Sequence, residues 1–308
     1  MSRDIARRDA ASRDIARRDA AGRDTSGRDA VDLPATSRPT RIYPGYAFDL
    51  DGTVYLGDAL LPCAAETIEA IRRAGSRIVY VTNKPLHTAA DYARKLTRLG
   101  VPTARADVVT SVDALVDYLG REHPGETVLA VAEQSTIDEI SGAGFTVTRD
   151  PRETQVVVVS FDRTFDYEKL NAAFQAVRYH GATIVATNPD PYCPTPEGGL
   201  PDCAAMLAAI EASTGAKAEA VVGKPSIHMA RALLGRLGLP AQDVVLIGDR
   251  LLTDVAMALS LGMTGILTLT GATRAESLAG ASVTPDFVID DLAQLLPEGS
   301  LQHPEVSQ

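Results

Sequence analysis

Cysteine is scarce in this sequence of 308 residues, and long apolar runs are absent. The three cysteines, Cys63, Cys193 and Cys203, are an odd number without C-x-x-C spacing, which disfavours a disulfide framework and a zinc site. No apolar run approaches the ~20 residues that a membrane-spanning helix needs. The N-terminus has neither the apolar stretch nor the cleavage site of a secretory signal. These absences predict a protein of the reducing cytoplasm.

Positive charge is also in deficit, with 30 Lys and Arg against 40 Asp and Glu and a formal net charge of −10. Residues 1–32 contain eight arginines and seven aspartates, so the excess of negative charge belongs to the remainder. An acidic protein binds nucleic acid and anionic membranes poorly, and we expect neither as a partner. An anionic substrate would need a metal ion and local cations to offset the repulsion.

The first residues form a repeat, because residues 2–11 recur as residues 12–21. The repeat has few large apolar side chains and cannot bury enough surface to offset the entropy of ordering. Three prolines follow within residues 33–44. We therefore predict a disordered tail and linker over residues 1–40, and a second tail over residues 299–308.

From residue 46 onward, short apolar segments alternate with amphipathic segments, which is typical of a parallel α/β sheet. The pattern predicts a doubly wound α/β core. A second set of alternating segments interrupts it and predicts an inserted α/β domain. The expected boundaries are residues 41–111 and 218–298 for the core and residues 112–217 for the insert.

Polar residues follow four apolar segments that we assign to the core sheet, and in such sheets ligands gather at the carboxyl ends of the strands. The four groups are Asp49-Leu50-Asp51-Gly52-Thr53, Thr82-Asn83, Gly223-Lys224-Pro225, and Gly248-Asp249 with Asp254. Taken singly, each is weak, since D-x-D-G-T also occurs in calcium loops and Thr-Asn is a plausible helix cap. Their joint order favours one functional site.

Each residue type has a physical reason to be there. Asp49 and Asp51 place like charges together, which favours a hard cation such as Mg²⁺, and Asp249 would complete an oxygen cage. The amides of Gly52 and Thr53 could cradle phosphate oxygens.

Neutral donors and a cation come from the other two groups. Thr82 and Asn83 add neutral hydrogen-bond donors, and Lys224 supplies the positive charge that a phosphate dianion and a neighbouring aspartate would both need.

The motifs DLDGT, VTN, GKP and GDRLLTD together resemble the haloacid dehalogenase (HAD) superfamily of aspartate-nucleophile phosphatases. The insert after the second motif looks like the subfamily IIA with a large α/β cap, which includes NagD-type, para-nitrophenyl phosphatase and AraL-like enzymes. The resemblance implies a HAD-like Rossmannoid core that carries the insert as a cap domain.

The resemblance also implies roles. Asp49 would be the nucleophile that forms an aspartyl phosphate, and Asp51 the general acid and base. Lys224 would neutralise charge on both nucleophile and phosphate. Mg²⁺ would be bound by Asp49, Asp249 and the carbonyl of Asp51, with Asp254 in support of Lys224 or of metal-bound water.

Two further residues would hold the phosphoryl group, namely Thr82 and Asn83. Lys84 stands where relatives commonly have a small or amide residue, and whether this extra cation reaches the phosphate is left open.

The segment of residues 187–194 in the insert is rich in proline and polar residues. We predict that Asn188, Asp190 and Tyr192 contact the substrate from a rigid loop over the pocket. An equally good interpretation is a strand-to-helix connection stiffened by proline.

The sequence thus predicts a Mg²⁺-dependent phosphomonoesterase for small phosphorylated metabolites, with sugar phosphates favoured. Nucleotides, glycerol phosphate, phosphoglycolate and pyridoxal phosphate stay open as substrates, and a noncatalytic sugar-phosphate-binding regulator is the alternative. Asp51 argues against a dehalogenase, and the mixed α/β cap argues against a phosphomutase. A homodimer formed through the cap is the candidate assembly.

Overall fold

The computed structural model describes residues 37–195 and 198–297. The tail and linker predicted for residues 1–40 lie outside the described residues as far as residue 36, and the tail predicted for residues 299–308 lies outside them entirely. Among the helices of the described part, none is both long and apolar enough to cross a membrane.

Six strands form one parallel sheet. In spatial order they are β14 (Phe287–Ile289), β13 (Thr264–Thr268), β12 (Val244–Gly248), β1 (Gly45–Asp49), β4 (Arg77–Thr82) and β5 (Val108–Thr110). The first of these strands along the sequence, β1, lies in the middle of the sheet, and later strands are added on both sides of it, which is the doubly wound arrangement. The predicted fold class is confirmed.

Helices cover both faces of this sheet, because successive side chains of a strand point to opposite faces. From β1, Tyr46 and Phe48 pack into one apolar cluster, and Ala47 packs into another. The first cluster includes side chains of α1 (Ala64–Arg73) and α2 (Ala89–Arg98). The second includes side chains of α3 (Ser111–Glu122), α7 (Ile227–Leu237) and α8 (Ala256–Ser260).

A second parallel sheet is formed by four strands of the inserted segment. In spatial order they are β11 (Ala220–Val221), β8 (Thr183–Ala186), β7 (Val156–Val159) and β6 (Val128–Val131). Val157 and Val159 pack with α5 (Tyr167–His180) and α6 (Cys203–Thr214), whereas Val156 and Val158 join the cluster that includes α3. The remaining helix of the insert is α4 (Gln134–Gly142).

Two antiparallel hairpins account for the other strands of the described residues. The first pairs β2 (Tyr55–Leu56) with β3 (Ala59–Leu60), and the second pairs β9 (Tyr192–Thr195) with β10 (Gly198–Pro201). The second hairpin begins inside the segment predicted to be a rigid loop.

Helix starts are fixed by short polar side chains. Thr88 accepts a hydrogen bond from the backbone of Asp91, whose carboxylate accepts one from the backbone of Thr88, and Thr110 and Asp113 form the same capping box at α3. These reciprocal bonds satisfy backbone donors that a helix N-terminus otherwise leaves unpaired.

The third polar group was expected to follow a strand of the six-stranded sheet, and that expectation is wrong. Ala220 pairs with Val185 of β8, so β11 belongs to the four-stranded sheet. A strand of two residues carries no periodic pattern that would assign it to one sheet or the other. Because α3 packs beside α7 on the six-stranded sheet, we propose that the core extends through residue 122 and resumes at residue 223.

The two segments that join the sheets lie side by side. Tyr118 Oη donates a 2.5 Å hydrogen bond to Glu219, and the His123 ring lies between Glu219, at 3.0 Å, and Glu126, at 2.9 Å. His123 follows α3 and Glu219 precedes β11, so the beginning and end of the insert are tied together.

Candidate active site

Three buried carboxylates and one buried ammonium group form a cluster at the carboxyl ends of β1 and β12. Lys224 Nζ donates hydrogen bonds to Asp49 Oδ1 and to Asp254 Oδ1, the latter at 2.6 Å. Asp49 is the last residue of β1, and Asp249 directly follows β12. Asp254 lies in a π-helical turn (Leu251–Val255) that precedes α8. The fold therefore brings together four of the predicted site residues, Asp49, Lys224, Asp249 and Asp254.

The charges in this cluster do not balance. Burial raises the pKa of Asp49, Lys224 opposes that rise, and Asp254 and Asp249 add to it. Burial also acts to lower the pKa of Lys224, but Asp254 and Asp49 outweigh it, and the net effect is a rise. The ammonium group is therefore held in its charged form, and further positive charge beside the cluster would favour the ionised form of Asp49.

Asp249 has an oxygen without a partner. Its Oδ2 accepts a 2.6 Å hydrogen bond from the backbone of Ala272, whereas its buried Oδ1 has no hydrogen-bond partner among the described residues. Burial, and then Asp254, raise the pKa of Asp249 to about 6. Asp49, Asp249 and Asp254 each present an oxygen within 4.8 Å of the others. This donor set of hard oxygens fits a divalent cation such as Mg²⁺.

The carboxylate of Asp51 is not part of this cluster, although the sequence placed it among the metal ligands. The Asp51 side chain is 40% exposed and lies 3.7 Å from Lys84 Nζ. Asp51 lines the same cavity as Asp49. β1 ends at Asp49, so Asp51 belongs to the turn that follows the strand. The structure thus separates a buried aspartate from an accessible one.

Two glycines allow the backbone to approach Asp249. A Cβ atom at Gly271 would lie 2.1 Å from Asp249 Oδ2, and one at Gly52 would lie 2.6 Å from it. Gly52 also has φ +86°, which favours glycine.

The amides of Gly52 and Thr53 are already hydrogen-bonded, which differs from the phosphate cradle expected from the sequence. Gly52 N donates to Tyr55 O at 2.8 Å, and Thr53 N donates to Leu50 O at 3.3 Å. Thr53 is fully buried and does not line the cavity. These residues shape the turn after β1.

Asn83 is engaged on both polar atoms of its side chain. Its Oδ1 accepts from Lys224 N at 2.7 Å, while its Nδ2 donates to Lys224 O at 3.0 Å and to Asp190 Oδ2 at 2.9 Å. The resemblance implied that this side chain holds the phosphoryl group. The structure instead has it fix the backbone of Lys224. Thr82 lines the cavity, and its Oγ1 accepts from Lys84 N at 3.1 Å.

The three predicted residues of the insert have different surroundings. Asn188 is fully buried, donates to Asn83 O at 3.2 Å, and is not among the residues that line the cavity. Asp190 lines the cavity but is bound to Asn83 and lies 3.7 Å from Arg250 Nη1. Tyr192 lines the cavity and is 55% exposed.

The cavity has a volume of about 320 Å³ and is bordered by residues of both the core and the insert. Lys84 lines it, and so do three residues that the sequence analysis did not single out as ligands: Cys193, Asp202 and Arg250. Asp202 precedes the apolar start of α6, so its sequence signal is that of a helix cap. Arg250 lies within GDRLLTD, next to Asp249.

Comparison with known proteins agrees with this geometry. A family model described as haloacid dehalogenase-like hydrolase matches residues 46–146, and one described as HAD-hydrolase-like matches residues 221–295. The sugar-phosphatase AraL of Bacillus subtilis is 38% identical over 269 residues, which are 86% of this chain and 98% of the relative.

Solved structures are similar over the same extent. A 4-nitrophenylphosphatase from Thermotoga maritima has a TM-score of 0.78 and 35% identity, over 82% of this chain and 96% of that one. A glycerol phosphate phosphatase from Mycobacterium tuberculosis, solved in complex with calcium, has a TM-score of 0.76 and 31% identity, over 82% of this chain and 74% of that one.

The chain therefore belongs to the haloacid dehalogenase-like hydrolase family. Within it, the chain is a phosphoric monoester hydrolase of the capped group, as the motifs predicted.

Proposed function

We propose that this protein is a Mg²⁺-dependent phosphatase that hydrolyses small phosphorylated metabolites, sugar phosphates foremost, through an aspartyl-phosphate intermediate. The observation that carries the proposal is the contact of Asp49 with Lys224 in a cavity that also exposes Asp51. The name of the Bacillus subtilis relative supports a sugar phosphate as substrate.

Asp49 is the proposed nucleophile. One of its oxygens attacks phosphorus and forms an O–P bond, while the bond from phosphorus to the leaving oxygen breaks. Lys224, which stays charged between Asp49 and Asp254, offsets the negative charge of nucleophile and phosphoryl group. A covalent intermediate divides the reaction into two easier steps.

Asp51 is the proposed general acid and base. Its accessible carboxyl group protonates the leaving oxygen in the first step. In the second step it takes a proton from the attacking water, whose oxygen forms a bond to phosphorus while the bond from phosphorus to Asp49 breaks and restores the carboxylate. Its exposure fits a group that exchanges protons with substrate and water, whereas the burial of Asp49 fits a nucleophile that exchanges no proton during the reaction.

Asp49 and Asp249 would hold the metal ion, together with the main-chain carbonyl of Asp51 that the resemblance implies. The unpaired Oδ1 of Asp249 supports this assignment, since a buried carboxylate oxygen without a partner is costly. When bound, Mg²⁺ supplies positive charge against the phosphoryl oxygens and the clustered carboxylates. Asp254 supports Lys224 by its 2.6 Å hydrogen bond.

Phosphate release across a panel of substrates tests the function. The panel includes hexose and pentose phosphates, glycerol phosphate, phosphoglycolate, a nucleoside monophosphate, pyridoxal phosphate and para-nitrophenyl phosphate, each with Mg²⁺ and with excess chelator. We expect turnover with Mg²⁺ only, and none in Asp49→Asn, because an amide is not a nucleophile at phosphorus.

Asp58→Asn serves as the matched control, since the Asp58 carboxylate is 94% exposed and does not line the cavity. Undiminished turnover in chelator would remove the metal from the proposal. Sustained turnover by a verified Asp49→Asn protein would reassign the nucleophile. Tight binding of a sugar phosphate without release of phosphate would favour the regulator.

A further inference from the structure

Two carboxylates of the inserted segment border the cavity, and their surroundings differ. Asp190 is committed to the core, because Asn83 Nδ2 donates to its Oδ2 and Arg250 Nη1 lies 3.7 Å from its Oδ1. Its backbone N also donates to Asn188 Oδ1 at 2.9 Å. Both oxygens of Asp190 therefore face groups of the protein.

The hydrogen bonds described for Asp202 are all to residues of the insert, and none of them is to the core. Its Oδ1 accepts from Cys203 N at 2.6 Å and from Asn188 Nδ2 at 3.4 Å. A carboxylate offers about four lone-pair sites, and these bonds use two, both on Oδ1. The backbone of Asp202 is fixed as well, since its N donates to Pro191 O at 3.1 Å.

The charge and rigidity of Asp202 suit it to recognise a ligand. The residue is only 4% exposed and still lines the cavity. Burial raises its pKa to about 6, Asp190 adds to the rise, and Lys84 opposes it. With this pKa the side chain is mainly ionised at neutral pH, and in that form it accepts hydrogen bonds and donates none.

We propose that Asp202 forms a subsite for the hydroxyl groups of the leaving alcohol, and that this subsite makes the enzyme select polyol phosphates over phosphates that carry a second anionic group. A hydroxyl donates to the carboxylate, whereas a carboxylate or second phosphate on the substrate is repelled by it. The inference rests on the proposed phosphatase function and concerns the part of the substrate that the chemistry does not touch.

The test compares Asp202→Ser with Asp190→Ser. Serine is a good N-cap residue, so the first change keeps the start of α6 while it removes the anion. The probes are ribose 5-phosphate, fructose 6-phosphate, para-nitrophenyl phosphate and phosphoglycolate. For Asp202→Ser, we expect the kcat/KM of the better sugar phosphate to fall about tenfold relative to para-nitrophenyl phosphate, and phosphoglycolate to gain relative to both.

Asp190→Ser is expected to lower kcat/KM for the whole panel with little change in these ratios. Unchanged ratios in Asp202→Ser, or a uniform fall like that of Asp190→Ser, would overturn the inference. If Asp202→Ser shows no cooperative thermal unfolding transition, the same kcat/KM ratios are measured for Asp202→Asn and test the inference in its place. Asparagine keeps both the helix cap and the side-chain volume while it removes the charge. If the unmodified protein hydrolyses no probe or other phosphate of the panel, the proposed function itself fails.

Discussion

The side-chain amide of Asn83 donates a 2.9 Å hydrogen bond to the carboxylate of Asp190. The bond joins the residue after β4 in the six-stranded sheet to the loop that precedes the β9–β10 hairpin. Asn83 also binds both backbone polar atoms of Lys224. One amide side chain therefore holds the lysine that contacts Asp49 and, through Asp190, the part of the insert that borders the cavity.

Asp190→Ala should weaken catalysis without changing which substrate is preferred. The change leaves Asn83 without an acceptor and Arg250 without its ion-pair partner, and hydrogen bonds to charged groups contribute about 1.5–3 kcal/mol. Steady-state kinetics should show kcat/KM lower by about tenfold or more for all substrates. Asp58→Ala is the control, and an altered order of substrates would contradict this assignment.

Asp51→Asn should separate the two chemical steps. p-Nitrophenolate leaves without much help from an acid, so Asp49 can still be phosphorylated, but the amide cannot take a proton from water. Stopped-flow measurements with para-nitrophenyl phosphate should show a burst of p-nitrophenolate comparable to the enzyme concentration, followed by turnover about 10²- to 10⁴-fold slower than in the unmodified enzyme. Slow turnover without a burst would place the role of Asp51 in the first step alone.

Mg²⁺ should raise the midpoint of thermal unfolding, and Asp249→Asn should remove most of that rise. A ligand that binds only the folded state stabilises it by about 2.7 kcal/mol at 100 times its Kd. The clustered Asp49, Asp249 and Asp254 are the only group of at least three such ligands found in the described ranges. Differential scanning calorimetry with and without Mg²⁺ measures the effect, and an equal rise in both proteins would place the cation elsewhere.

Glu139→Gln should stabilise the protein at alkaline pH. Burial, and next Asp113, raise the pKa of Glu139 to about 7, and its Oε1 is buried without a hydrogen-bond partner. A carboxyl group whose pKa is higher in the folded state binds more protons there, so its presence lowers stability as pH rises from about 4.5 through about 7. The loss is on the order of 1–3 kcal/mol at pH 8.

Urea unfolding at pH 5 and pH 8 checks this prediction. The Glu139→Gln protein should be the more stable one at pH 8, with a smaller difference between the two proteins at pH 5. Glu69→Gln removes an exposed carboxyl group from α1 and should leave the pH dependence as it was. An equally steep loss of stability in Glu139→Gln would assign the pH dependence to other groups.

The order of motifs could be converted into a site because neighbouring parallel strands end at one edge. β1 lies between β12 and β4, so the residues that follow these strands had to be close. This reasoning placed Asp49, Asp249 and Thr82 at one cavity, as the structure does.

Other features were not readable from the sequence. A short strand such as β11 carries no pattern that names its sheet, although Lys224 still reaches Asp49. A polar residue after a strand can also be used by the protein itself, as Asn188 and Thr53 are. Asp202 gave only the signal of a helix cap, since its access to the cavity depends on how the insert packs on the core.

The two ends of the insert are held together by the contacts of Glu219 with Tyr118 and His123. This closeness suits the insert to exchange between related proteins. A segment whose ends are close in space can be exchanged for one of another length without stretching the sheet that receives it. An exchange of residues 123–222 between relatives would carry Asp202 and its neighbours to a new host. Lys224 lies outside this segment, so the host would use its own lysine at that position. An exchange of the insert would therefore change selectivity and leave the hydrolytic residues of the host in place.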